Sequence, residues 1–489
     1  MSEAAGESAP SHVPALVHSA RRIGPLAWPV FIGQVAVLAF STVDTVLVAR
    51  YSALDLAALA VGSAAYITVF IGFMGVVLAI GPIVGRLFGA QQWSATGHEL
   101  HQAVWIALAL SLVGSLLLAF PAPFLWLAEA TPEVSHKVRG YLLALALSLP
   151  AALLFTAYRG FNTAVSRPKA VMALQLGGLA LKVPLSALLV YGIALPTPLG
   201  ELRVPSLGML GCGIATCMVM WLQALVALTV LRRDSFYARF ELRGRGLHAP
   251  DRESLRAQLK LGIPMGLSIL IEVTGFSFMA FFIARLGTTA VAGHQIAANL
   301  VALLFMMPLA MANATSTLVA QRIGAGDALD ARRLGWHGLL IAVLIAALLG
   351  ATVYFTREGV VGLYTRDPVV VAAALPLVTW VALFHTADAA QAVASFVLRA
   401  YHVATVPLVI YASAIWGVGL AGGYVIAFDS FGLTPPALLG ARGFWFAATA
   451  GLVVAALGLG AVLLWVLRHQ HVEPLEQPEN PRSWTQASK

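Results

Sequence analysis

Long apolar runs, separated by short charged or Pro/Gly-rich breaks, follow one another along the 489-residue chain. Each run has about 20 residues or more, enough for an α-helix to cross the roughly 30 Å hydrocarbon core of a bilayer. Charged residues make up only 11% of the chain, against about a quarter in soluble proteins. The mean hydropathy of +0.84 agrees with this. The pattern excludes a large soluble protein and predicts an all-α polytopic membrane protein with twelve transmembrane helices.

The runs divide the chain into two sets of six spans. We predict spans at 26–49, 57–83, 101–120, 140–158, 170–193 and 207–231, then at 261–284, 290–320, 337–356, 369–398, 405–428 and 443–467. The expected organisation is a disordered cytoplasmic N-terminus (1–22), a first lobe (23–231), a charged cytoplasmic linker (232–260), a second lobe (261–467) and a cytoplasmic tail (468–489). The first run is too long for a signal-peptide core and lacks a clear cleavage site, which favours an uncleaved first span.

The distribution of Lys and Arg predicts the orientation. With the N-terminus inside, the inner segments hold 21 of the 30 basic residues, the outer loops hold 8, and Lys182 lies within a span. Basic residues concentrate on the cytoplasmic side of membrane proteins, so we expect both termini to be cytoplasmic. The net charge of +8 is then explained by topology and by contact with anionic membrane lipid, without nucleic acid as a partner.

The two halves are also related in sequence. LAWPVFIGQ at 26–34 aligns with LGIPMGLSI at 261–269. An offset of 235 residues superposes Pro29 on Pro264, Ala49-Arg50 on Ala284-Arg285 and Gly89-Ala90 on Gly324-Ala325. Further on, RGFNTAVSRP at 159–168 recurs as RAYHVATVP at 399–407, with the offset slipped to about 240. Six spans per half make the repeat parallel, which predicts two six-helix lobes in a V around a central cavity, as in alternating-access transporters.

Three carboxylates fall inside predicted spans: Asp44, Glu272 and Asp388. A charge at membrane depth costs at least about 3 kcal/mol, so such residues line a cavity, pair with another group or stay protonated. Glu272 and Asp388 fall near mid-depth, whereas Asp44 falls about 9 Å from the outer end of its helix. Asp44 could also snorkel or form a salt bridge near the surface, and the other two could brace helices by hydrogen bonds. As binding groups, all three would hold H⁺, Na⁺ or a cationic substrate, with a Na⁺ site at Glu272 and Asp388.

Other residues are candidates for the substrate cavity. Lys182 is either an internal counter-ion for a carboxylate or, with Pro184, part of a kink solvated by the cavity. His385 lies one helical turn before Asp388, where it either couples to that carboxylate or is simply hydrogen-bonded. Thr386 and Gln391 offer neutral oxygen donors. The remaining candidates are polar or aromatic residues, whose alternative roles are backbone hydrogen bonds or helix packing: Thr45, Asn162, Thr274, Phe276, Ser277, His294, Gln295 and Asn299.

The sequence lacks a Walker A phosphate loop, a nucleophile elbow and a Cys/His metal cluster. We therefore expect no enzymatic activity and no cofactor, and transport energy that comes from an ion gradient or from the substrate's own gradient.

Several motifs in order resemble the multidrug and toxic compound extrusion transporters, particularly their bacterial NorM-type branch. They are Asp44-Thr45, Gly89-Ala90, QRIGAGD at 321–327, LGIPMG at 261–266 with Glu272, AVAGHQIAAN at 290–299, Asp388, and LRAYHVATVP at 398–407. The resemblance implies two six-helix lobes and cation-coupled efflux of diverse, often cationic drugs. It also implies cation binding at Glu272 and Asp388, and coupling or drug binding at Asp44. The chain departs from the family at Arg399-Ala400-Tyr401-His402, where Arg-Gly and a polar residue are usual.

The resulting hypothesis is a monomeric drug antiporter of the bacterial inner membrane, driven by Na⁺ or H⁺. Drugs, organic cations and membrane lipids are its expected partners. The alternative is a lipid-linked oligosaccharide flippase of the same two-lobe kind. A flippase cavity should be strongly basic to hold pyrophosphate, and Lys182 is the one base within a predicted span.

Overall fold

Helices form almost all of the chain that the structure, a computed structural model, describes: residues 15–197, 200–242 and 247–469. The first half contains α1 (Ala15–Tyr51), α2 (Ala53–Val77), α3 (Ile80–Gly89), α4 (Trp93–Ala119), α5 (Ala122–Leu127), α6 (Pro132–Ala164), α7 (Pro168–Tyr191) and α8 (Met209–Arg233). The second half contains α9 (Arg252–Ala284), α10 (Thr288–Gly324), α11 (Ala328–Tyr364), α12 (Pro368–Ala400), α13 (Thr405–Tyr411), α14 (Gly422–Ala427) and α15 (Ala441–His469). Within these described ranges, twelve helical stretches are long and apolar enough to cross a membrane, which confirms the predicted number of spans.

Two of these spans are interrupted. The second consists of α2 and α3, separated at Leu78 and Ala79 just before Pro82, whose ring and missing N–H disfavour a continuous helix. The eleventh consists of α13, a π-helical segment at Ala412–Ala421, and α14. Wider helical turns of this kind are rare and are concentrated at functional sites.

Capping residues determine where several helices begin. Backbone N–H groups in the first helical turn have no intrahelical partner, and a side-chain oxygen just before the helix accepts from one of them. The residues that do so precede α2, α6, α9, α11 and α12: Ser52, Thr131, Asp251, Asp327 and Asp367. Pro132 and Pro368 follow two of these caps, at a position where the absent N–H costs nothing.

The first helix begins earlier than the sequence indicated. Disorder was expected through residue 22, but α1 starts at Ala15; residues 1–14 and 470–489 lie outside the described part. Tertiary contacts account for the added turns. Ser19 Oγ is hydrogen-bonded to His337 Nδ1 at 2.7 Å, and Arg22 forms an ion pair of 2.8 Å with Asp330. Both partners lie on α11, so the start of α1 is held by the second half of the chain.

The charged linker predicted over 232–260 contains secondary structure that the sequence analysis did not predict. The chain forms a 3₁₀ helix at Ser235–Phe240 and begins α9 at Arg252. The 3₁₀ helix is buried against the first lobe, where Tyr237 Oη donates to Asn162 Oδ1 at 2.5 Å. Gly97 of α4 lets the end of this 3₁₀ helix approach closely, because a Cβ at position 97 would lie 2.0 Å from the Phe240 carbonyl oxygen.

A histidine cluster, His98, His101 and His248, holds the end of the linker to α4. The His248 ring lies 5.4 Å from the His98 ring and 4.5 Å from the His101 ring, between centroids. The His248 backbone N–H donates to His101 Nδ1 at 3.3 Å. Four residues before α9, the chain is therefore fixed by side chains of the first lobe.

The loop between α7 and α8 is the exception to the all-α prediction. Strands β1 (Ile193–Thr197) and β2 (Gly200–Val204) pair antiparallel, with Ile193 opposite Val204 and Thr197 opposite Gly200. The strands lie in a loop outside the twelve spans, where a short hairpin can pair its own backbone groups.

The first helix of each half leaves its own lobe at one end. Ile23 and Ala27 of α1 are buried in a core formed mostly by α10, α11, α12 and α15. In the same way, Leu261 and Met265 of α9 leave the second lobe and pack against Ala79 of the first lobe, between α2 and α3. Gly75 of α2 and Gly266 of α9 approach so closely that a Cβ on Gly75 would lie 2.5 Å from the Gly266 Cα. The lobes thus meet at the end of the bundle where α3 and α10 finish, which we call the closed end.

Candidate functional site

In the first lobe, Asp44 of α1 forms an ion pair with Lys182 of α7. Lys182 Nζ lies 3.0 Å from Asp44 Oδ2 and donates to Thr216 Oγ1 at 2.6 Å. Ser186 Oγ donates to Asp44 Oδ1 at 3.3 Å. The side chains are 9% and 1% exposed for Asp44 and Lys182. Burial is affordable because the charges pair and hydroxyls satisfy their remaining hydrogen bonds.

This arrangement decides between the two readings of Lys182, which is an internal counter-ion. It also shows that Asp44 does not snorkel to the surface, since its carboxylate points between α1, α7 and α8. Ser186 and Thr216 were missed in the sequence. Ser186 could have been found from its spacing of four residues from Lys182, which places both on one helix face.

In the second lobe, Glu272 of α9 and Asp388 of α12 share one amide. Gln391 Nε2 donates to Asp388 Oδ1 at 2.8 Å and to Glu272 Oε1 at 3.3 Å. The structure thus brings together the two carboxylates that the sequence singled out, even though they lie 116 positions apart. The nitrogen of Gln391 faces them, whereas the sequence suggested its oxygen as the useful donor atom.

Two further residues complete this site. Tyr411, the last residue of α13, donates its hydroxyl to Gln391 Oε1 and so fixes the orientation of the amide. Arg399 of α12 is buried and interacts electrostatically with Glu272, although the sequence placed it in a solvent-facing segment. Neither has a sequence signal that ties it to the carboxylates, because only the packing of α12 against its neighbours decides what they face.

His385 and His294 are not part of the hydrogen-bond network of these carboxylates. Both are buried, and the structure gives no partner among the described residues for either ring nitrogen of His385 or for His294 Nδ1. The ring of His294 lies 5.9 Å from that of Trp445, which also contacts Phe276 at 6.5 Å. His294 therefore belongs to an aromatic cluster, and the expected contact of His385 with Asp388 is not a hydrogen bond.

Most of the other candidates do not converge on either site. The hydroxyls of Thr45, Thr274 and Ser277 donate to backbone carbonyls of their own helices. Gln295 and Asn299 are exposed while His294 is buried, so these three do not form one polar face. Asn162 braces the linker through Tyr237. Helical hydroxyls and amides commonly take such local partners, which is the alternative that the sequence had left open.

The structure also places a fourth carboxylate inside a span, and this one is buried. Because α2 begins at Ala53, Asp55 lies inside a span that the sequence placed from residue 57. It forms an ion pair of 2.7 Å with Lys137 and accepts from the Met209 backbone N–H at 2.8 Å. All of its contacts join helices of the first lobe, which indicates a structural brace at the start of α8.

Among the described residues, no group of three or more His, Cys, Asp or Glu side chains could hold a metal ion. Glu272 and Asp388 supply only two ligands. The group between them is an amide nitrogen, and hard cations such as Na⁺ prefer oxygen ligands. A separate cavity of about 660 Å³ lies between α9 and the π-helical segment, lined by Phe278, Phe282, Trp416 and Tyr424 with Arg285. It contains none of the three carboxylates.

The chain resembles known proteins over most of its length. It is 40% identical over 442 residues to the "Probable multidrug resistance protein NorM" of Aromatoleum aromaticum, covering 90% of this chain and 93% of that one. It is 34% identical to the "Multidrug resistance protein PmpM" of Pseudomonas aeruginosa, covering 89% of each chain.

Solved structures share the fold. The eukaryotic MATE transporter AtDTX14 superposes with a TM-score of 0.81 at 20% identity, covering 92% of this chain and 96% of that one. The Vibrio cholerae MATE transporter VcmN in the bent form superposes with a TM-score of 0.79 at 19% identity, covering 93% and 98%. The MatE family model matches residues 29–188 and 264–425, one segment in each half. This multi-pass membrane protein belongs to the MatE family.

Proposed function

We propose that the protein is a multidrug efflux antiporter, in which an inward flux of Na⁺ or H⁺ drives the expulsion of amphipathic, often cationic drugs. Its relatives named as multidrug resistance proteins support the substrate class. The observation that carries the coupling proposal is the close pair of carboxylates, Asp388 buried and Glu272 half-buried, held by a single neutral amide. Two carboxylates around one amide form a place where an added cation or proton gains stabilisation.

The two lobes have different roles in this proposal. In the first lobe Lys182 already supplies the positive charge that Asp44 needs, so the pair is electrically neutral. In the second lobe Arg399 interacts electrostatically with Glu272, and the two carboxylates together retain an excess negative charge when both are ionised. The coupling cation therefore binds between Glu272 and Asp388, and Asp44 contributes by exchanging Lys182 for a proton or for a cationic drug.

Na⁺ and H⁺ make different demands on Gln391. A proton on either carboxylate leaves the two amide hydrogen bonds in place or weakens one of them. Na⁺ requires oxygen ligands, so the Gln391 amide would have to turn over, exchanging its nitrogen for its oxygen and giving up the bond from Tyr411. The described geometry fits the proton directly and fits Na⁺ after that rotation.

Alternating access is the expected transport mechanism, since two lobes related by a parallel repeat are suited to it. In the proposed orientation both termini and the closed end face the cytoplasm, and the protein lies as a monomer in the bacterial inner membrane with lipid around it. The flippase alternative is not favoured. Lys182, the base on which a pyrophosphate site would depend, is already paired with Asp44.

The test is drug efflux from proteoliposomes under separately imposed Na⁺ and pH gradients. We expect Glu272→Gln and Asp388→Asn to abolish gradient-driven efflux, and Asp44→Asn to reduce it. Glu358→Gln, which neutralises an exposed carboxylate on α11, is the matched control and should behave as wild type. Unchanged efflux in all three site variants would contradict the coupling assignment, and efflux that ignores both gradients would indicate a uniporter or channel.

A further inference from the structure

The two lobes make a symmetric contact at the closed end, where α3 meets the last turns of α10. A Cβ on Gly89 would lie 1.9 Å from the Gln321 carbonyl oxygen, and a Cβ on Gly324 would lie 1.8 Å from the Arg86 carbonyl oxygen. Arg86 and Gln321 are related by the same offset of 235 residues as the two glycines. The contact is therefore reciprocal, with a local twofold axis between the helices. Only glycine permits it, since any side chain at either position would overlap the opposite backbone.

The side chains of Arg86 and Gln321 extend this symmetry across the lobe boundary. Arg86 Nε donates to the Ala400 carbonyl oxygen at 2.9 Å, at the end of α12 in the second lobe. Gln321 Nε2 donates at 2.6 Å to the Ala164 carbonyl oxygen, at the end of α6 in the first lobe. It also donates to Ser166 Oγ at 2.9 Å. Each lobe thus supplies a donor that caps a helix terminus of the other.

Helix C-termini are suited to this role. The last carbonyl groups of a helix have no intrahelical partner and carry partial negative charge, so they accept strongly from an approaching donor. Here α6 and α12 are the fourth spans of their respective halves, and each acceptor is the last residue of its helix. The motifs RGFNTAVSRP and RAYHVATVP, which the sequence repeats without an evident reason, contain these two acceptors.

We propose that Arg86 and Gln321 form a reciprocal clasp that keeps the cytoplasmic side of the transporter closed, and that both halves must release before the cavity opens to the cytoplasm. This inference rests on the alternating-access mechanism and the orientation proposed above. Both hydrogen bonds cross the lobe boundary at the closed end. A rotation that separates the lobes there breaks both together, whereas separation at the opposite end leaves both intact.

The two halves of the clasp differ in chemistry but are comparable in strength. Arg86 is a charged donor, and hydrogen bonds from charged groups are roughly twice as strong as neutral ones. Gln321 is neutral but makes two bonds. Arg86 and Gln321 are therefore positioning residues: they set the balance between conformations without touching the transported drug.

The experiment measures distances between spin labels by double electron–electron resonance, with the protein in lipid nanodiscs and Cys212 and Cys217 replaced by alanine. One pair of labels, at Lys169 and Leu329, joins exposed residues of the two lobes near the closed end. A second pair, at Lys169 and Ser235, lies within the first lobe and reports damage to that lobe instead of its movement. The variants are Arg86→Met, Gln321→Leu and the double variant. Arg333→Met, which removes an exposed arginine of α11, is the matched control.

We expect the ratio of open to closed distances between the lobes to rise about fivefold for each single variant and by about the product of the two for the double variant. The distance within the first lobe and the Arg333→Met distribution should not change. An unchanged ratio in the double variant would overturn the clasp, as would an equal change in the pair within one lobe. If the distance ratio of the wild type changes with drug and with the ion gradients, and the double variant has the same ratio as the wild type, the clasp is refuted but the proposed function stands. If wild type never changes distance under any of these conditions, alternating access itself fails.

Discussion

Removing one partner of the Asp44–Lys182 pair should cost more stability than removing both. The charged atoms lie 3.0 Å apart, and the side chains are 1% and 9% exposed. At an effective dielectric constant of about 20, unit charges at this separation attract by about 5 to 6 kcal/mol. Breaking a buried pair by removing one member costs about 3–5 kcal/mol, because an uncompensated charge is left behind.

The double variant Asp44→Asn with Lys182→Met leaves no charge in the site. Asn still accepts a hydrogen bond from Ser186, and Met fills the space of the lysine stem. We therefore expect the double variant to lose less stability than either Asp44→Asn or Lys182→Met alone, with a coupling of at least about 2 kcal/mol.

The assay is thermal unfolding in detergent, followed with a thiol-reactive fluorophore. Cys212 is suited to report it, since it is buried next to the site and its carbonyl accepts from Thr216 Oγ1 at 2.9 Å. The melting temperature should fall by about 10 °C in each single variant, taking about 2–4 °C per kcal/mol for a unit the size of one lobe. Lys169→Met, which removes an exposed lysine of the same helix, is the control and should not change it.

The reasoning is refuted if the double variant loses the sum of the two single losses, since additive effects mean that the two charges do not interact. Single variants with wild-type melting temperatures would refute the burial argument as well.

Other parts of the structure give further predictions. Asp55→Asn should destabilise the first lobe by about 1.5–3 kcal/mol, because it weakens charged hydrogen bonds to Lys137 and to the start of α8; the same melting assay measures it. Burial raises the pKa of Tyr237, so its hydrogen bond to Asn162 should persist through pH 10 and be lost only as the pH rises further. Tyr237→Phe should lower the free energy of unfolding by about 1 kcal/mol below pH 10 and remove the loss of stability at more alkaline pH, as measured by the same melting assay. His101→Ala should loosen the linker, because the His248 backbone N–H loses its acceptor, His101 Nδ1; hydrogen exchange of residues 247–251, measured at one fixed pH, should speed up, and Lys169→Met should leave it unchanged.

Patterns that depend on local chemistry were predicted well. The twelve spans follow from the length of the apolar runs, and the structure places them where the sequence did, apart from extra turns at many ends. The repeat was visible because Gly89 and Gly324 must both be glycine for the same steric reason. The unusual position of Asp44, Glu272 and Asp388 inside spans was also visible, because a carboxylate in an apolar run is costly in any fold.

Partners of these residues were harder to predict. The sequence left open whether Asp44 snorkels or forms a salt bridge, and the structure pairs it with Lys182, 138 residues away. It placed Arg399 just beyond the end of a predicted span, although the packing of α12 buries it. It gave the linker only as a charged connection, but Tyr237 and the histidine cluster fix it to the first lobe. Each of these outcomes depends on which helix faces are brought together, and a single sequence does not contain that information.

The sequence by itself determined that this chain crosses a membrane twelve times, that its halves repeat, and that three carboxylates lie at depth, because bilayer thickness and the cost of buried charge act on each segment separately. The tertiary structure alone decided that one carboxylate is neutralised by a lysine and that the other two share an amide. It alone decided, too, that the repeated motifs meet across the lobe boundary. Such pairings arise from distances of a few ångströms between residues far apart in the chain, and only the packing of the helices sets them.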